Sequence, residues 1–295
     1  MHRITVFTPA YNRCYTLGRL LDSLIAQTNH GFEWYVIDDG STDGTEVFFA
    51  KVCSRKLPFR LRYEKVENGG KQRAINRAVQ NIQSEFTFLV DSDDYLLPDA
   101  IEKILKWTEN LPEGVAGVAG VKGNGNMEPI NDVPTFDGEY IEITNLERPQ
   151  YNLSADMAEV YRTEILRKYP FTVWPGEKFV PEATVWDEIA LAGYPLRWYK
   201  DVIYICEYLE DGLTKGSWNL LKKNPMGYAM LFDHQLLTET SEKTKWQITI
   251  QMMSCLFLAG EWKYCLNCNE PWRAVLCTPI GYVLSLRRRK QFKDF

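Results

Sequence analysis

Apolar and polar positions alternate in regular blocks along the first hundred residues of the chain. Four short segments rich in aromatic and β-branched residues predict strands at 4–8, 33–38, 60–66 and 86–90. Three segments with apolar positions every three to four residues predict helices at 17–27, 43–53 and 71–82. Strands and helices that take turns in this way indicate an α/β fold, with a mostly parallel central sheet and helices on both faces.

The second half of the chain is less regular, and it ends in a long helical stretch. Further elements are predicted as a strand at 114–121, a helix at 181–193 and a strand at 196–208. Residues 122–150 are rich in Gly, Asn and Pro, which is typical of loops. From about residue 217 onward the pattern is helical. We therefore expect an α/β domain at 1–215 and a helical C-terminal region at 216–295.

Composition and charge exclude several classes of protein. With 295 residues and 45% hydrophobic content, the chain can form a large core. Its 34 Lys and Arg against 39 Asp and Glu give a net charge of -5, so nucleic acid is not an expected partner. The seven cysteines are odd in number and scattered, which favours a reducing compartment. Since no apolar segment has the length of a signal peptide or membrane span, we expect a cytoplasmic protein, either free or peripheral on the inner face of the membrane.

Four polar loops follow predicted strands of the first half. They read TPAYNR at 8–13, DDGSTDGT at 38–45, ENGGKQR at 67–73 and DSDD at 91–94. In parallel sheets the carboxyl ends of the strands lie at one edge, where ligands bind. We therefore expect these four loops to converge on one crevice.

Asp91, Asp93 and Asp94 crowd three carboxylates into the last of these loops. Like charges this close raise one another's pKa unless a cation neutralises them. Mn²⁺ and Mg²⁺ take oxygen ligands, and they typically use one or two carboxylates together with substrate phosphates. The alternative is that Asp91 caps a turn and Asp94 begins the next helix, with solvent screening all three charges.

The other three loops carry residues suited to a nucleotide. Tyr11 could stack on a flat ring, although an aromatic loop residue is more often packing. The aspartates that end the second strand could accept hydrogen bonds from a ring N–H, or they could belong to an ordinary turn. Lys71 and Arg73 stand at a helix start preceded by two glycines, an arrangement that suits a phosphate.

The four segments FTPAYNR, VIDDGSTDGT, NGGKQRAINRA and FLVDSDDYLLPDAI occur in this order within residues 3–110. Together they resemble the inverting nucleotide-sugar glycosyltransferases of family 2, which have the Rossmann-like GT-A fold. The resemblance implies transfer of a sugar from a nucleotide-sugar donor, a UDP-sugar above all, to an acceptor hydroxyl with the help of Mn²⁺ or Mg²⁺. It also implies a saccharide or lipid-linked saccharide acceptor and a role in cell-surface polysaccharide or glycolipid synthesis.

The same resemblance assigns roles to individual residues. Thr8, Ala10 and Tyr11 would line the nucleobase pocket, and Asp39 would read the base with Lys71 near it. Asp91, with Ser92 beside it, would face the ribose and the donor sugar, and Asp93 would hold the metal ion. Asp94 lies outside the family's two metal-motif positions.

The general base is harder to place, because the family usually has a Glu-Asp pair at a helix start. In this chain the corresponding segment is KFVPEATVWDEIA, where Glu182 is followed by Ala183. The candidates are Glu182, Asp187 and Glu188, which at about 100° per residue cannot all face one crevice. Glu182 is preferred because it is nearest the expected site, and Asp187 is the second choice. A Glu in a first helical turn also has a purely structural explanation in the helix dipole.

Three further features lie towards the end of the chain. Residues 207–217 resemble the family segment that closes over the diphosphate, with Lys215 as its cation, or they form a solvated turn. The apolar positions after Pro279 run into the basic cluster Arg287 to Lys290, which suits an anionic membrane surface or a packed final helix. Cysteines 255, 265, 268 and 277 lack the paired spacing of a zinc site, which favours small apolar fillers.

Two other functions fit parts of the sequence. A domain that binds a nucleotide-sugar without catalysis is suggested by the missing Glu-Asp pair. A phosphohydrolase with Asp91 as nucleophile would use the Asp-x-Asp spacing, but it leaves the first two polar loops without a purpose.

Overall fold

The computed structural model describes residues 2–130, 133–206 and 217–292. These residues form two compact units. The first unit runs to Pro170 and takes in the chain from Glu188 to Cys206, and the second consists of Phe171 to Asp187 and the described chain from Ser217. The functional division at residue 215 stays a prediction.

The N-terminal part of the first unit alternates strands and helices as the apolar pattern predicted. Its elements are β1 (Ile4–Ala10), α1 (Cys14–Ile25), β2 (Phe32–Asp38), α2 (Thr45–Cys53), β3 (Arg60–Lys65), α3 (Lys71–Asn81), β4 (Phe86–Leu89), β5 (Tyr95–Leu96) and α4 (Ala100–Trp107). The later elements are β6 (Gly117–Gly123), β7 (Tyr140–Ile143), a 3-10 turn (Arg148–Tyr151), β8 (Met157–Arg162), α5 (Thr163–Lys168), α6 (Ala183–Leu191), which continues from the second unit, and β9 (Leu196–Ile205).

The strands form one sheet in the order β3-β2-β1-β4-β8-β6-β9-β5, with β7 also paired to β9. The first four strands are parallel, and so are β6 and β9. β8 runs antiparallel to both β4 and β6, and β5 and β7 run antiparallel to β9. The α/β class is confirmed, but the sheet is mixed. The described residues between β6 and β8 contain no crossover helix, whereas a parallel pair of strands would need one.

Helices cover both faces of the parallel strands. Leu17, Leu20 and Leu24 repeat at helical spacing on α1 and belong to the same buried cluster as Phe49 of α2 and Trp34 of β2. α3 packs against β1 and β2 through buried residues outside that cluster. The strand register places the last residues of β1 and β2 side by side, so their following loops begin at the same edge.

The described C-terminal chain is helical, as predicted. It contains α7 (Ser217–Lys223), α8 (Pro225–Thr238), α9 (Glu242–Ala259), a 3-10 turn (Trp262–Leu266) and α10 (Pro271–Gln291). Its core is built largely from Met and Cys, with the side chains of Met252, Met253, Cys255, Cys265, Cys268 and Cys277 all buried. These soft side chains fill a small helical core in the way apolar residues do. Nowhere in the described chain is a helix long and apolar enough to cross a bilayer.

Candidate active site

The loops after β1 and β2 are joined by hydrogen bonds from backbone amides. The N–H of Thr42 donates to Oδ1 of Asn12 over 2.8 Å, and the N–H of Asn12 donates to Oγ of Ser41 over 2.9 Å. Asn12 has a positive φ of 52°, which Asn adopts more easily than most residues. The N–H of Cys14 donates to Oδ2 of Asp43 over 2.9 Å. The first two polar loops therefore form one joint surface.

Asp39, at the end of β2, holds the loop that precedes α3. Its Oδ1 accepts the N–H of Gly69 over 2.7 Å, and its Oδ2 accepts the N–H of Gly70 over 2.8 Å. Oδ2 also accepts from Nδ2 of Asn68 over 3.0 Å. The Asp39 side chain is buried, and its negative charge is shared among these donors. The observed contacts of Asp39 therefore hold the glycine turn before α3 in place. Its contact with a nucleobase stays a prediction.

Gly40 makes this arrangement sterically possible. Its φ is +75°, and a Cβ atom placed there would lie 2.8 Å from the backbone nitrogen of Asn68. Gly70 likewise has a positive φ of 99°, immediately before α3 begins. Both positions require a residue without a side chain, because L-residues are disfavoured at positive φ.

The aspartate loop after β4 is held against the start of α1. Oγ1 of Thr16 donates to the carbonyl of Ser92 over 2.8 Å, and the guanidinium of Arg19 donates to the carbonyl of Asp93. Nε of Arg13 lies 3.7 Å from Oδ2 of Asp93. These contacts connect the loop after β1 with the aspartate loop.

Lys71 closes the ring of contacts. Its Nζ lies 2.6 Å from Oδ1 of Asp91, so the first residue of α3 meets the first residue of the aspartate loop. The four polar loops therefore meet at one edge of the sheet, as their positions after strands predicted.

Tyr204 of β9 supports the aspartate loop from inside the protein. Its hydroxyl donates to Oδ2 of Asp94 over 2.6 Å and accepts the N–H of Asp91 over 3.0 Å. Asp94 is buried and precedes the two-residue strand β5, whereas α4 begins later, after Asp99. The interpretation of Asp94 as the start of the next helix is therefore wrong, because its carboxylate turns inward to a buried hydroxyl.

Lys122 places a buried cation next to this pair. Its Nζ lies 2.7 Å from Oδ2 of Asp156 and 4.4 Å from the centre of the Tyr204 ring. Burial alone would lower the pKa of Lys122, but the carboxylates of Asp156, Asp91 and Asp94 outweigh burial and raise it. Lys122 therefore stays charged and offsets part of the negative charge of the aspartate loop.

The three aspartates differ in the direction of their pKa shifts. Burial acts to raise the pKa of Asp91, but the ammonium groups of Lys71 and Lys122 outweigh it, so that pKa lies below its ordinary value. The pKa of Asp93 is raised by burial and by repulsion from Asp91, against the weaker effect of Arg13. Burial and the charge of Asp91 raise the pKa of Asp94 to about 7. The loop thus holds one stabilised carboxylate and two that are costly to ionise.

Comparison with protein families gives a match to the family described as glycosyl transferase family 2. The matched residues, 5–169, make up more than half of the 295 residues and contain all four polar loops. The chain belongs to glycosyl transferase family 2.

Two bacterial glycosyltransferases are among the relatives of this chain. Glycosyltransferase GlyA of Streptococcus pneumoniae is 35% identical over 106 residues, 35% of this chain and 15% of GlyA. TarS of Staphylococcus aureus, a poly(ribitol-phosphate) beta-N-acetylglucosaminyltransferase, is 30% identical over 172 residues, 57% of this chain and 29% of TarS. The chain spans less than a third of the length of either relative.

Solved structures confirm the GT-A class. Residues 1–349 of S. aureus TarS in complex with UDP-GlcNAc superpose with a TM-score of 0.62 at 19% identity, over 93% of this chain and 79% of that structure. Mannosyltransferase PcManGT of Pyrobaculum calidifontis, in complex with GDP-Man and Mn²⁺, gives a TM-score of 0.57 at 18% identity, over 98% and 82%. At these identities the likeness is one of fold.

A divalent metal ion suits the family, and the surroundings of Asp93 fit such an ion. The Asp93 carboxylate is partly exposed, and the repulsion from Asp91 that raises its pKa would be relieved by a cation. Among the described residues no group of three or more His, Cys, Asp and Glu could hold a metal. Mn²⁺ and Mg²⁺ can bind through one carboxylate when substrate phosphates and water supply the other oxygens.

The residues predicted to line the nucleobase pocket lie in different environments. Tyr11 has 48% of its surface exposed at the end of β1, where it can receive a ring. Thr8 has no exposed surface, and its hydroxyl accepts from Nε1 of Trp34 over 3.1 Å. Ala10 belongs to the hydrophobic core. The burial of Thr8 and Ala10 does not favour side-chain contact with a ligand, so only Tyr11 keeps an accessible side chain among the three.

The candidate bases lie on α6 and the residue before it. The backbone carbonyl of Glu182 accepts the N–H groups of Val185 and Trp186, so Glu182 immediately precedes the first turn of the helix. Asp187 lies within the helix, and both residues belong to the second unit, with partly exposed side chains. Glu188 begins the part of the helix that is assigned to the first unit. Lys215 lies outside the described residues.

Sequence reasoning missed three residues that support the site: Arg13, Lys122 and Tyr204. Lys122 carried a signal, since a Lys inside the apolar strand GVAGVKG must find a partner if the strand is buried. Tyr204 carried none, because an aromatic residue in an apolar strand is ordinary core packing. Arg13 stood in the quoted YNR segment, but nothing in the sequence joined it to Asp93.

Proposed function

We propose that this protein is a glycosyltransferase that moves a sugar from a UDP-sugar to an acceptor hydroxyl with inversion of the anomeric configuration. The observation that carries the proposal is the convergence of the four family loops, in which Asp39 organises the glycine turn and Lys71 meets Asp91. The UDP-GlcNAc complex of the related TarS supports the choice of a UDP-sugar donor.

Different residues of the site bind different parts of the donor. Tyr11 stacks on the nucleobase, and the remaining acceptor capacity of Asp39 reads its ring N–H. Asp91, kept ionised by Lys71, accepts hydrogen bonds from the ribose and the donor sugar, with Ser92 beside it. Asp93 would hold Mn²⁺ or Mg²⁺ together with the diphosphate oxygens. Such an ion, when bound, supplies positive charge to the departing diphosphate.

Inversion requires one carboxylate that takes the proton of the acceptor hydroxyl as that oxygen attacks the anomeric carbon. We assign this role to Glu182, with Asp187 as the second choice. Support for Glu182 comes from its place before the first turn of α6, the helix that corresponds to the family's base-bearing segment. Lys215 is proposed as a further cation for the diphosphate.

The acceptor is proposed to be a saccharide, free or lipid-linked, in the synthesis of cell-surface polysaccharide or glycolipid. The name of the relative TarS, a poly(ribitol-phosphate) beta-N-acetylglucosaminyltransferase, supports a role in modifying a polymer. A lipid-linked acceptor would bring the enzyme to the cytoplasmic face of a membrane, so we also propose peripheral contact there.

One alternative has an observation in its favour. The missing Glu-Asp pair would suit a domain that binds a nucleotide-sugar and does not transfer it. The phosphohydrolase has less support, since the carboxylate of Asp91 is paired with Lys71 and a nucleophile needs an open line to phosphorus.

A donor-cleavage assay separates these functions. The protein is incubated with Mn²⁺ and a panel of UDP-sugars, with and without a panel of saccharide acceptors, and released UDP is measured. We expect release of UDP by the parent, reduced by about two to four orders of magnitude in Glu182→Gln if Glu182 is the base. If Asp187→Asn reduces the release of UDP and Glu182→Gln does not, Asp187 is the base. A parent that binds UDP but neither cleaves any donor nor transfers to any acceptor would establish the non-catalytic alternative.

A further inference from the structure

The last helix of the second unit, α10, has its apolar side turned to solvent. Exposed large apolar side chains recur along it at Trp272, Val275, Leu276, Ile280, Tyr282, Val283 and Leu286. The side chains that face the protein are small or polar, and they are Arg273, Ala274, Cys277, Gly281, Ser285 and Arg288. A helix of a water-facing surface normally has the opposite arrangement.

Helix geometry shows that the two sets lie on opposite sides. At about 100° per residue, the six buried positions occupy an arc of roughly 120°. Trp272, Leu276 and Val283 lie within about 40° of one another on the opposite side. The apolar stripe from Trp272 to Leu286 is about 21 Å long at 1.5 Å per residue. We name it the α10 stripe.

The packing of α10 keeps the stripe outside. A Cβ atom on Gly281 would lie 2.5 Å from Cβ of Met253, so α9 and α10 approach closely at this point. The guanidinium of Arg288 reaches inward to Oγ of Ser254 over 3.1 Å and to the side chain of Gln251. Rotating the helix to bury the stripe would break these contacts and leave the charge of Arg288 without them.

A second aromatic group borders the stripe. The ring of Phe257 on α9 lies 5.2 Å from that of Tyr282 and stacks on Trp262 at 6.5 Å. Trp262 itself is 45% exposed. Trp and Tyr, with their apolar rings and polar N–H or O–H groups, are the residues enriched where lipid meets water.

The charged residues of helix α10 itself have one sign. Helix α10 contains no Asp or Glu. Arg287, Arg289 and Lys290 are exposed in its last turns, directly after the apolar stripe, although the whole chain is acidic at -5. Basic residues next to exposed apolar and aromatic side chains complement an anionic lipid surface.

We propose that the α10 stripe lies in the interface of an anionic membrane, with its apolar side chains among the acyl chains and Arg287, Arg289 and Lys290 on the lipid phosphates. This deepens the membrane contact proposed above and does not depend on the proposed sugar transfer. A second copy of the chain fits less well. Two parallel α10 helices would bring like charges together, and two antiparallel ones would offer those charges no carboxylate on the facing helix.

Vesicle sedimentation tests the proposal with the full chain in the absence of donor and acceptor. The vesicles are phosphatidylcholine alone or phosphatidylcholine mixed with phosphatidylglycerol. The parent is expected to sediment with the mixed vesicles and to be released by salt. Val283→Asp should lower the partition coefficient about tenfold or more, while Val47→Asp, at an exposed valine of α2, should not. The double variant Arg287→Gln, Lys290→Gln should lower it by about fivefold per charge, and Arg55→Gln, Lys56→Gln should not.

Two further readouts prevent a misleading result. Brominated lipids should quench the fluorescence of the parent, and Trp272→Phe should lose most of that quenching while Trp218→Phe, also exposed in this unit, keeps it. Circular dichroism and donor cleavage should be unchanged in Val283→Asp, so that a failure of membrane binding is distinct from a failure of the proposed reaction. A parent that ignores mixed vesicles, or equal binding by Val283→Asp, overturns the proposal. A dimer of the parent that Val283→Asp dissociates overturns it in favour of a second copy.

Discussion

At the scale of single residues, one hydroxyl group connects two parts of the aspartate loop. The hydroxyl of Tyr204 bridges the Asp91 N–H and the Asp94 carboxylate, beneath the two residues assigned to donor sugar and metal. Substitution of Tyr204 by Phe keeps the ring and removes both hydrogen bonds. The position of Asp93 relative to Asp91 then depends on fewer contacts.

We expect Tyr204→Phe to lower the free energy of unfolding by about 1–3 kcal/mol and to weaken Mn²⁺-dependent UDP binding. Tyr161→Phe is the matched control, because Tyr161 is equally buried in the same sheet and its hydroxyl accepts from Asn145 over 2.9 Å. It should reduce stability without changing UDP affinity. The measurements are urea unfolding and calorimetric titration, and equal loss of affinity in both variants would refute a specific role for Tyr204.

The raised pKa of Asp94 predicts a dependence of stability on pH. With a folded-state pKa of about 7, against an unfolded value near 4, this carboxyl binds a proton more tightly in the folded protein. Its contribution therefore favours the folded state at low pH and is lost as pH rises from about 4 to 7. The stability of the parent relative to Asp94→Asn should fall across that window and level off above it, as measured by urea unfolding with a chelator present. Asp137→Asn, at an exposed position, is the control, and a difference that does not vary with pH would contradict the shift.

At the scale of elements, the contact between the loop after β2 and the loop before α3 depends on Gly40. Gly40 and Gly138 both have a positive φ, +75° and +83°, but only at Gly40 would a Cβ atom meet another part of the chain. Gly138→Ala should therefore show the backbone strain alone, roughly 1–2 kcal/mol. Gly40→Ala should lose more stability and should also weaken UDP binding, because Asn68 must shift away from Asp39. Thermal unfolding and UDP titration check this, and equal effects of the two substitutions would contradict it.

The apolar pattern was sufficient for the elements up to β4 but not for the direction of every later strand. The helical spacing of Leu17, Leu20 and Leu24 and the β-branched runs of the first strands define their elements without tertiary information. The antiparallel insertion of β8 between β4 and β6 could not be read from periodicity, because a strand has the same alternation in either direction. The composition of α10 also does not show that its large apolar side chains face solvent. Only the burial of each residue in the folded protein shows this.

At the scale of the whole molecule, the order of the loops was the informative signal. Each loop alone had an ordinary structural explanation, and the folded sheet brings all four together through contacts such as Asp39 with Gly70 and Lys71 with Asp91. The partners of Lys122 and Tyr204 were not predictable, since Asp91 and Asp94 are 31 and 110 positions away from them along the chain. The assignment of the base to Glu182 remains a proposal, because it rests on resemblance and on a local helix position.

The central claim is that the converged loops bind a nucleotide through a metal ion held by Asp93. Calorimetric titration of UDP, with and without Mn²⁺, tests it most directly in the parent and in Asp93→Ala, with Asp137→Ala as the control. We predict that Mn²⁺ strengthens UDP binding by about tenfold or more in the parent and in the control, since the ion links the carboxylate to the diphosphate. We predict that Asp93→Ala, folded as judged by its thermal unfolding, loses that enhancement. Full retention of the Mn²⁺ effect in Asp93→Ala, or no UDP binding by the parent at all, would contradict the account.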